Sequence, residues 1–376
     1  MKNTTNPIFN SNKLKLGTFC TNTIPNMTFV PEMSMPTWQN TLASAKLADA
    51  AGLEAIVPIA RWKGYLDERP DHGSNIILDT FTWAAGMAAS TKYSAIFATS
   101  HAPTMHPVAV AKQTATIDAI SGGRFALNVV GGWNRREFDM FGIDMLEHDD
   151  RYVYLEEWLQ ILRRLWTEHD EFDYESKNFH MKKAISRPQP LQPGGVPVMN
   201  AALSPVGMRF SAKHSDVGLI SLQGDEPEKW RDQIAAYKRM ARDEFGREIQ
   251  LWTNCAVTQR DTRKEAEDYL RRYSEEFLDK EVMDSLMQTI GKENNIPMDS
   301  PRLAFMRHRM AVGAGPALVG DAQSIAEQLA AFSGAGIDGV ILTWVDFVEG
   351  VDRFNRQVLP LLEQAGLRKP HVKKPS

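Results

Sequence analysis

Cysteine is nearly absent from this chain: only Cys20 and Cys255 occur in 376 residues. Each lies in an apolar stretch typical of a strand, so we interpret both as reduced core thiols and expect no disulfide. The His, Cys, Asp and Glu residues show none of the paired spacings typical of metal ligands, and we expect no metal. The sequence therefore argues against a disulfide scaffold and against a metalloenzyme.

Long apolar runs and an excess of charge are missing as well. No run approaches the roughly 20 residues needed to cross a bilayer. Residues 1–12 are polar and lack the features of a targeting peptide, so we expect a cytoplasmic protein. The formal net charge is only −4, and Lys and Arg are scattered, which argues against a nucleic-acid binder. We expect a small-molecule ligand, with neither nucleic acid nor membrane as a partner.

What the sequence does contain is a regular alternation of apolar, β-branched runs with amphipathic helical patterns, which is typical of repeated βα units. The predicted strands are 14–20, 53–59, 92–99, 124–130, 196–201, 216–222, 249–257 and 339–343. The predicted helices are 37–51, 79–90, 107–120, 151–166, 205–214, 227–245, one from Thr262 onward, 321–333 and 351–364. Glycines at 122 and 123 are expected to end the third helix and turn the chain into the fourth strand.

This pattern predicts an α/β fold, a (β/α)8 TIM barrel that occupies residues 1–376 as one domain with insertions on its rim. A doubly wound sheet would instead need a glycine-rich loop after the first strand, and residues 21–23 (TNT) are not one. A polar stretch at 168–183 predicts a small excursion on the rim. The irregular stretch 280–320 is either a mobile lid, with Gly291, Gly313 and Gly315 as hinges, or an insertion without function.

Barrels of this kind carry their chemistry on the loops that follow the carboxyl ends of the strands. Ser204 before Pro205 predicts a helix cap, which is also a good phosphate site. Arg151 offers planar donors for a phosphate, or it pairs with Glu147, Asp149 or Asp150. Asn128 is an amide in an apolar strand and must find polar partners. Tyr152 fits either the site or the core.

Other polar and aromatic residues near the strand ends have weaker support. Thr99 is an ordinary strand residue distinguished only by its position. Glu137 either orients a ligand or lies on a solvated turn. His101, His106 and His148 are proton donors or bystanders. Trp38, Trp62, Trp133 and Trp344 line an apolar pocket or belong to the core.

Several segments together resemble the bacterial luciferase-like family of flavin-dependent monooxygenases. They are residues 111–125 (AKQTATIDAISGGRF), 128–133 (NVVGGW), 137–138 (EF), 147–152 (EHDDRY), 317–321 (ALVGD) and 336–340 (GIDGV). Within the family the likeness is greatest to the pyrimidine oxygenases of uracil breakdown, followed by the dimethylsulfone monooxygenases.

The resemblance implies a (β/α)8 barrel that binds reduced FMN, supplied by a separate NAD(P)H-dependent flavin reductase, and uses O2 to oxygenate a small organic substrate. It also implies a homodimer or homotetramer. The flavin contacts of the subgroup fall on Ala60, Arg61, Asn128, Glu137, Arg151, Tyr152 and Ser204. Thr99 and Asn128 match the pair that is implicated in holding oxygen beside the flavin N5, and so are the implied catalytic residues.

This chain also departs from the subgroup pattern. Residues 61–65 (RWKGY) differ from the corresponding segment of pyrimidine oxygenases, and the GGW and EHD segments are closer to the sulfone-oxidising relatives. The substrate is therefore either a pyrimidine-like heterocycle or an organosulfur compound. Two alternatives to a monooxygenase are an oxidoreductase that transfers hydride with the deazaflavin F420, and a barrel that binds flavin without catalysis.

Overall fold

The computed structural model describes residues 5–201, 204–224 and 226–372. Its strands are β1 (Lys15–Phe19), β2 (Ala55–Val57), β3 (Ala95–His101), β4 (Phe125–Val130), β5 (Phe172–Glu175), β6 (His180–Ala184), β7 (Val198–Ala201), β8 (Val217–Leu219), β9 (Gln250–Gln259), β10 (Ala317–Gly320) and β11 (Gly339–Thr343). Parallel pairing runs β1-β2-β3-β4-β7-β8-β9-β11 and returns to β1, which closes a barrel of eight strands. The predicted (β/α)8 fold is confirmed, and each barrel strand overlaps its predicted segment, with β3 and β9 extending two residues beyond it.

Helices follow the strands on the outside of the barrel. They are α1 (Trp38–Ala50), α2 (Thr80–Ser90), α3 (Pro107–Ser121), α4 (Arg135–Phe141), α5 (His148–Thr167), α6 (Pro205–His214), α7 (Pro227–Phe245), α8 (Arg263–Arg271), α9 (Lys280–Glu293), α10 (Pro301–Val312), α11 (Ala322–Ala335), α12 (Phe347–Gln357) and α13 (Leu359–Gln364). Gly122 caps α3 with φ 66° and Gly123 follows at φ 84°, so the glycines turn the chain as predicted.

Side-chain alternation along the strands separates two apolar layers. Ala95 and Phe97 of β3 belong to the core inside the barrel, whereas Ile96 and Ala98 pack outward against the helices. Because successive side chains point to opposite faces, Thr99 and His101 continue the inward row of β3. Asn128 continues the inward row of β4 in the same way, after Ala126. Inside the barrel, the inward rows of β3 and β4 are thus apolar in the middle of the strands and polar at their carboxyl ends.

The structure changes the bounds of two predicted helices and adds one that was not predicted. The predicted helix 351–364 begins at Phe347 and is divided into α12 and α13. The fourth predicted helix begins at His148 rather than at Arg151, so Arg151 lies in the first turn of α5. The short helix α4 precedes it and was not predicted; Asn134 caps its start through a hydrogen bond from the Arg136 N–H. Seven residues give too little periodicity for a sequence pattern to identify a helix. The predicted excursion at 168–183 is an antiparallel hairpin of β5 and β6.

The rim insertion (280–320) is more regular than its composition suggests. It contains α9 and α10, followed by β10, which pairs with the outer half of β9. A small apolar core of its own forms beside the barrel, where Met283, Leu286 and Met287 of α9 pack with Tyr65. Gly291 is buried inside α9, and Gly313 ends α10 with φ 123°.

Neither a membrane segment nor a metal cluster occurs in the described ranges. No helix there has both the length and the apolar character to cross a bilayer. No group of three or more His, Cys, Asp or Glu side chains there is arranged to hold a metal ion.

Candidate active site

A cavity of about 440 Å³ opens at the carboxyl ends of the barrel strands. Its floor consists of inward-facing residues from the barrel, including Phe19, Thr99, Asn128 and Leu219. Its wall includes residues of the rim insertion, namely Asn294, Ile296, Arg302 and Met306. Six of the predicted site residues line it together: Ala60, Thr99, Asn128, Arg151, Tyr152 and Ser204.

Thr99 and Asn128 are directly opposite each other on the parallel strands β3 and β4. The Asn128 Nδ2 donates to Thr99 Oγ1 over 3.2 Å, and Thr99 Oγ1 donates to the Pro58 carbonyl over 2.6 Å. The Asn128 Oδ1 is buried and has no hydrogen-bond partner. A buried amide oxygen without a partner costs stability, so it indicates a ligand donor at this point of the cavity.

Arg151 projects into the same cavity from the first turn of α5. Its guanidinium donates to the Gly132 carbonyl over 2.6 Å, and its Nε is buried without a partner. Burial lowers the pKa of Arg151, which nevertheless stays cationic. Pairing with Glu147, Asp149 or Asp150 is not seen: no ion pair of Arg151 occurs within the described ranges. The guanidinium thus has donor capacity left for an anion.

Tyr152 and Ser204 complete this end of the cavity. Ser204 caps α6 by accepting a hydrogen bond from the Gly207 N–H over 3.2 Å, with Pro205 at the first helical position, as predicted. Burial raises the pKa of Tyr152, and a hydrogen bond with Ser204 opposes that rise. The positive end of a ten-residue helix, a hydroxyl pair and a guanidinium therefore converge on one spot, which favours an anion.

Glu137 lies on neither a solvated turn nor the cavity wall. It is buried in α4, where one carboxylate oxygen accepts from the Trp62 N–H over 2.9 Å and the other lies 3.1 Å from His101 Nδ1. Burial alone would raise the pKa of Glu137, but His101 and the backbone N–H groups of Trp62 and Lys63 outweigh it, and the pKa is lowered. Glu137 thus positions His101, whose ring lines the cavity.

Ala60 and Arg61 lie where three cavities adjoin. Ala60, Thr99 and His101 border both the main cavity and a smaller one of about 120 Å³. Arg61 borders that smaller cavity and a third one of about 190 Å³, with its guanidinium 4.6 Å from the centre of the Tyr65 ring. Ala60 thus borders the main cavity, whereas Arg61 lines only the two adjoining ones.

The remaining candidates separate clearly. His101 and His148 line the main cavity, whereas His106 caps α3 and packs against Phe179 away from it. Trp133 lines the main cavity and Trp62 the small one. Trp38 packs on Gly86 between α1 and α2, and Trp344 packs against Phe347 and Phe354 beside a separate cavity. Trp38 and Trp344 therefore pack within the fold and do not line this site.

Sequence reasoning missed the wall residues contributed by the rim insertion. Asn294, Ile296, Arg302 and Met306 follow the last predicted site residue by some ninety positions, and no motif marks them. Asn26, which lines the third cavity, was missed as well. Its burial distinguishes Asn26 from other asparagines, and burial is a property of the fold that the sequence does not show.

The fold and this site define a barrel enzyme whose cavity combines an anion-binding end with an unpaired amide in the barrel mouth. The model of the luciferase-like monooxygenase family matches residues 14–339. The chain is 31% identical over 338 residues to the pyrimidine monooxygenase RutA of Acinetobacter baylyi, covering 87% of this chain and 88% of that one. The chain belongs to the luciferase-like monooxygenase family and is a flavin-dependent monooxygenase.

Solved structures share the fold across nearly the whole chain. A long-chain alkane monooxygenase (LadA) superposes with a TM-score of 0.85 at 21% identity, covering 97% of this chain and 94% of that one. A riboflavin lyase (RcaE), solved with modified FMN and riboflavin, gives 0.83 at 21%, covering 96% and 94%. An F420-dependent secondary alcohol dehydrogenase gives 0.68 at 18%, covering 95% and 99%. The fold alone therefore does not decide between flavin and deazaflavin.

Proposed function

We propose that this protein is the oxygenase component of a two-component system, which uses reduced FMN and O2 to oxygenate a small pyrimidine-like or organosulfur compound. The observation that carries the proposal is the convergence of Thr99, Asn128, Arg151, Tyr152 and Ser204 on one cavity. A separate NAD(P)H-dependent flavin reductase would supply the reduced FMN. A homodimer or homotetramer is the expected assembly.

The residues present fit FMN. A ribityl phosphate needs donors and positive potential, which Arg151, Ser204 and the start of α6 provide. The flavin ring carries both carbonyl groups and a ring N–H, and the unpaired Asn128 Oδ1 can accept from such an N–H. The cavity volume of about 440 Å³ lies within the range typical of cofactor sites.

When bound, the reduced flavin supplies the electrons with which O2 gives one oxygen atom to the substrate and the other to water. This chain's own residues supply position and environment. Arg151 and Ser204 anchor the phosphate, and Asn128 and Thr99 fix polar groups at the barrel mouth. The Glu137 carboxylate holds the ring of His101 in place, so His101 can hold or release a proton at the cavity.

The rim insertion (280–320) serves in this proposal as the lid. Ile296 and Met306 place apolar surface over the cavity, and exclusion of water favours oxygen transfer over loss of oxygen as hydrogen peroxide. Gly313 and Gly315 are the proposed hinges where the insertion returns to the barrel. Gly291, buried within α9, is the less favourable hinge of the three predicted.

Anaerobic titration with reduced FMN, followed by O2 and a panel of pyrimidines and sulfones, tests the proposal. We expect stoichiometric FMN binding and an oxygenated product from one class, with none when flavin is omitted. A parallel titration with reduced F420 and a ketone serves as the control. Hydride transfer from F420 without oxygen uptake from FMN would overturn the proposal.

A further inference from the structure

The third cavity, of about 190 Å³, lies directly beside the proposed flavin cavity, and we call it the side chamber. The two share Phe19 and Ile59 as a common wall. The side chamber extends from there to Asn26, Arg61 and Met310. Its volume corresponds to about six water molecules at roughly 30 Å³ each, which suits a small organic molecule.

Arg61 brings a positive charge into the side chamber without a matching carboxylate. Its guanidinium lies over the Tyr65 ring, and it forms no ion pair within the described ranges. Glu137, the nearby buried carboxylate, uses one oxygen for Trp62 N–H and the other for His101. A partly buried guanidinium with donors to spare is suited to a carboxylate or sulfonate oxygen.

Asn26 supplies a second donor, independent of Arg61. The residue is 4% exposed, it lines the side chamber, and its Nδ2 has no hydrogen-bond partner. The Nδ2 also lies 3.2 Å from where a Cβ would stand at Gly313, so the glycine at the end of α10 leaves space for this amide. A buried N–H donor without an acceptor indicates an acceptor atom on the missing ligand.

No other side chain that lines the side chamber carries a negative charge that could pair with Arg61 or Asn26. Burial raises the pKa of the Cys20 thiol, so it stays protonated. Burial also raises the pKa of the Tyr65 hydroxyl, which stays neutral despite the opposing effect of Arg61. Apolar side chains of Phe19, Ile24 and Met310 form much of the remaining wall.

We propose that the side chamber is the substrate subsite and that it selects small organic anions, namely carboxylates, sulfinates or sulfonates. The oxygens of the anion bind Arg61 and Asn26, and its apolar part faces the flavin cavity. The oxygenation of such an anion rests on the proposed function, whereas its binding in the side chamber does not. The subsite favours organosulfur and carboxylic acids over neutral pyrimidines and neutral sulfones as substrates.

Calorimetric titration of the flavin-free protein tests the binding with matched pairs of probes. The pairs are propane-1-sulfonate with methyl propyl sulfone, and butyrate with 2-pentanone, in which a methyl group replaces the charged oxygen. We expect the anion of each pair to bind at least about tenfold more tightly, since hydrogen bonds to charged groups exceed neutral ones. Equal affinity within both pairs would overturn the proposal.

Substitutions then assign the donors. Arg61→Met should weaken anion binding by about 10- to 100-fold and leave the neutral probes nearly unchanged, with partial recovery in Arg61→Lys. Asn26→Ala should weaken anion binding by about 5- to 20-fold. Arg242→Met, an exposed arginine on α7, is the control for loss of one surface charge. Anion affinity that is insensitive to Arg61 and Asn26 would show that Arg61 merely packs on Tyr65.

FMN binding is measured on the same variants, which separates the two proposals. Failure of the wild-type protein to bind FMN, with anion selectivity intact, would overturn the proposed cofactor and leave the subsite standing. Normal FMN binding with no preference for anions would overturn the subsite and leave the monooxygenase proposal standing. In the loaded enzyme, Arg61→Met should raise the KM of an anionic substrate more than it lowers kcat.

Discussion

The Asn128 amide donates to the Thr99 hydroxyl over 3.2 Å, across two adjacent strands on which the residues are exact partners in register. The Thr99 hydroxyl in turn donates a hydrogen bond to the Pro58 carbonyl, while the Asn128 Oδ1 has no hydrogen-bond partner in the cavity. This arrangement fixes the amide with one edge satisfied and the other edge open to a ligand.

Asn128→Ala should therefore lower the rate of product formation by at least about 100-fold. The affinity for FMN should change less than about tenfold, because the residues proposed to bind the phosphate are intact. Thr99→Val, which removes the hydroxyl, should act in the same direction, and Thr99→Ser should recover most activity. Product formation and FMN fluorescence titration are the measurements. Asn200→Ala is the matched control, since Asn200 is a buried amide with an unpaired Oδ1 outside the cavity lining. Unchanged turnover in Asn128→Ala would contradict the assignment.

Arg151→Met should raise the Kd of FMN by about 10- to 100-fold, since a charge-assisted bond to a phosphate is lost. Riboflavin, which lacks the phosphate, should bind wild type and variant almost equally. Arg164→Met, at a half-exposed pair with Glu168 on the same helix, is the control. An equal loss of affinity for riboflavin and FMN would place Arg151 away from the phosphate.

Glu137→Gln should lower the free energy of unfolding by about 1–3 kcal/mol at pH 7. The folded-state pKa of Glu137 lies below its ordinary value of 4.5, so its stabilisation is complete above that pH and is lost as the pH falls through the folded value. Urea unfolding at pH 7 and at pH 3.5 should show the difference shrinking in acid. Glu175→Gln, at an exposed carboxylate–histidine pair, should change little at either pH.

His214 should give the protein a pH dependence between about 4 and 6.5. Burial first, and then the nearby Arg163, lowers the pKa of His214 from 6.5 to about 4. In that window the unfolded chain binds the extra proton, so stability falls as the pH falls, by at most about 3 kcal/mol. His214→Asn should flatten the profile measured by urea unfolding, whereas the exposed His180→Asn should not. A profile of equal slope in both variants would contradict the burial effect.

Gly313→Ala should uncouple the reaction. Gly313 has φ 123°, and a Cβ there would lie 2.8 Å from the Ala256 Cβ, so the end of α10 must shift. A strained residue of this kind costs about 1–3 kcal/mol. We expect more hydrogen peroxide per reduced FMN consumed, with FMN affinity little changed. Gly334→Ala, whose Cβ would meet nothing within 4 Å, is the control. Full coupling in Gly313→Ala would argue against a lid role.

Local sequence signals were sufficient for much of this protein. Apolar runs bounded by glycine and polar turns located all eight barrel strands, because a parallel strand buried on both faces needs continuous apolar residues. Caps such as Ser204-Pro205 located helix starts for similarly local reasons. Motif resemblance indicated the family and six of the residues that line the main cavity.

Only the tertiary structure decided which side chains meet. His101 and Glu137, which are in contact, are 36 positions apart, and Asn26 and Arg61, which line the same cavity, are 35 apart. No local signal in the sequence marks either pairing. The same holds for Trp38 and Trp344, which packing places away from the main cavity. Register around the closed barrel, set by hydrogen bonds between strands distant in sequence, determines these encounters. The sequence alone thus determined the barrel and its family, and the closed barrel determined the site.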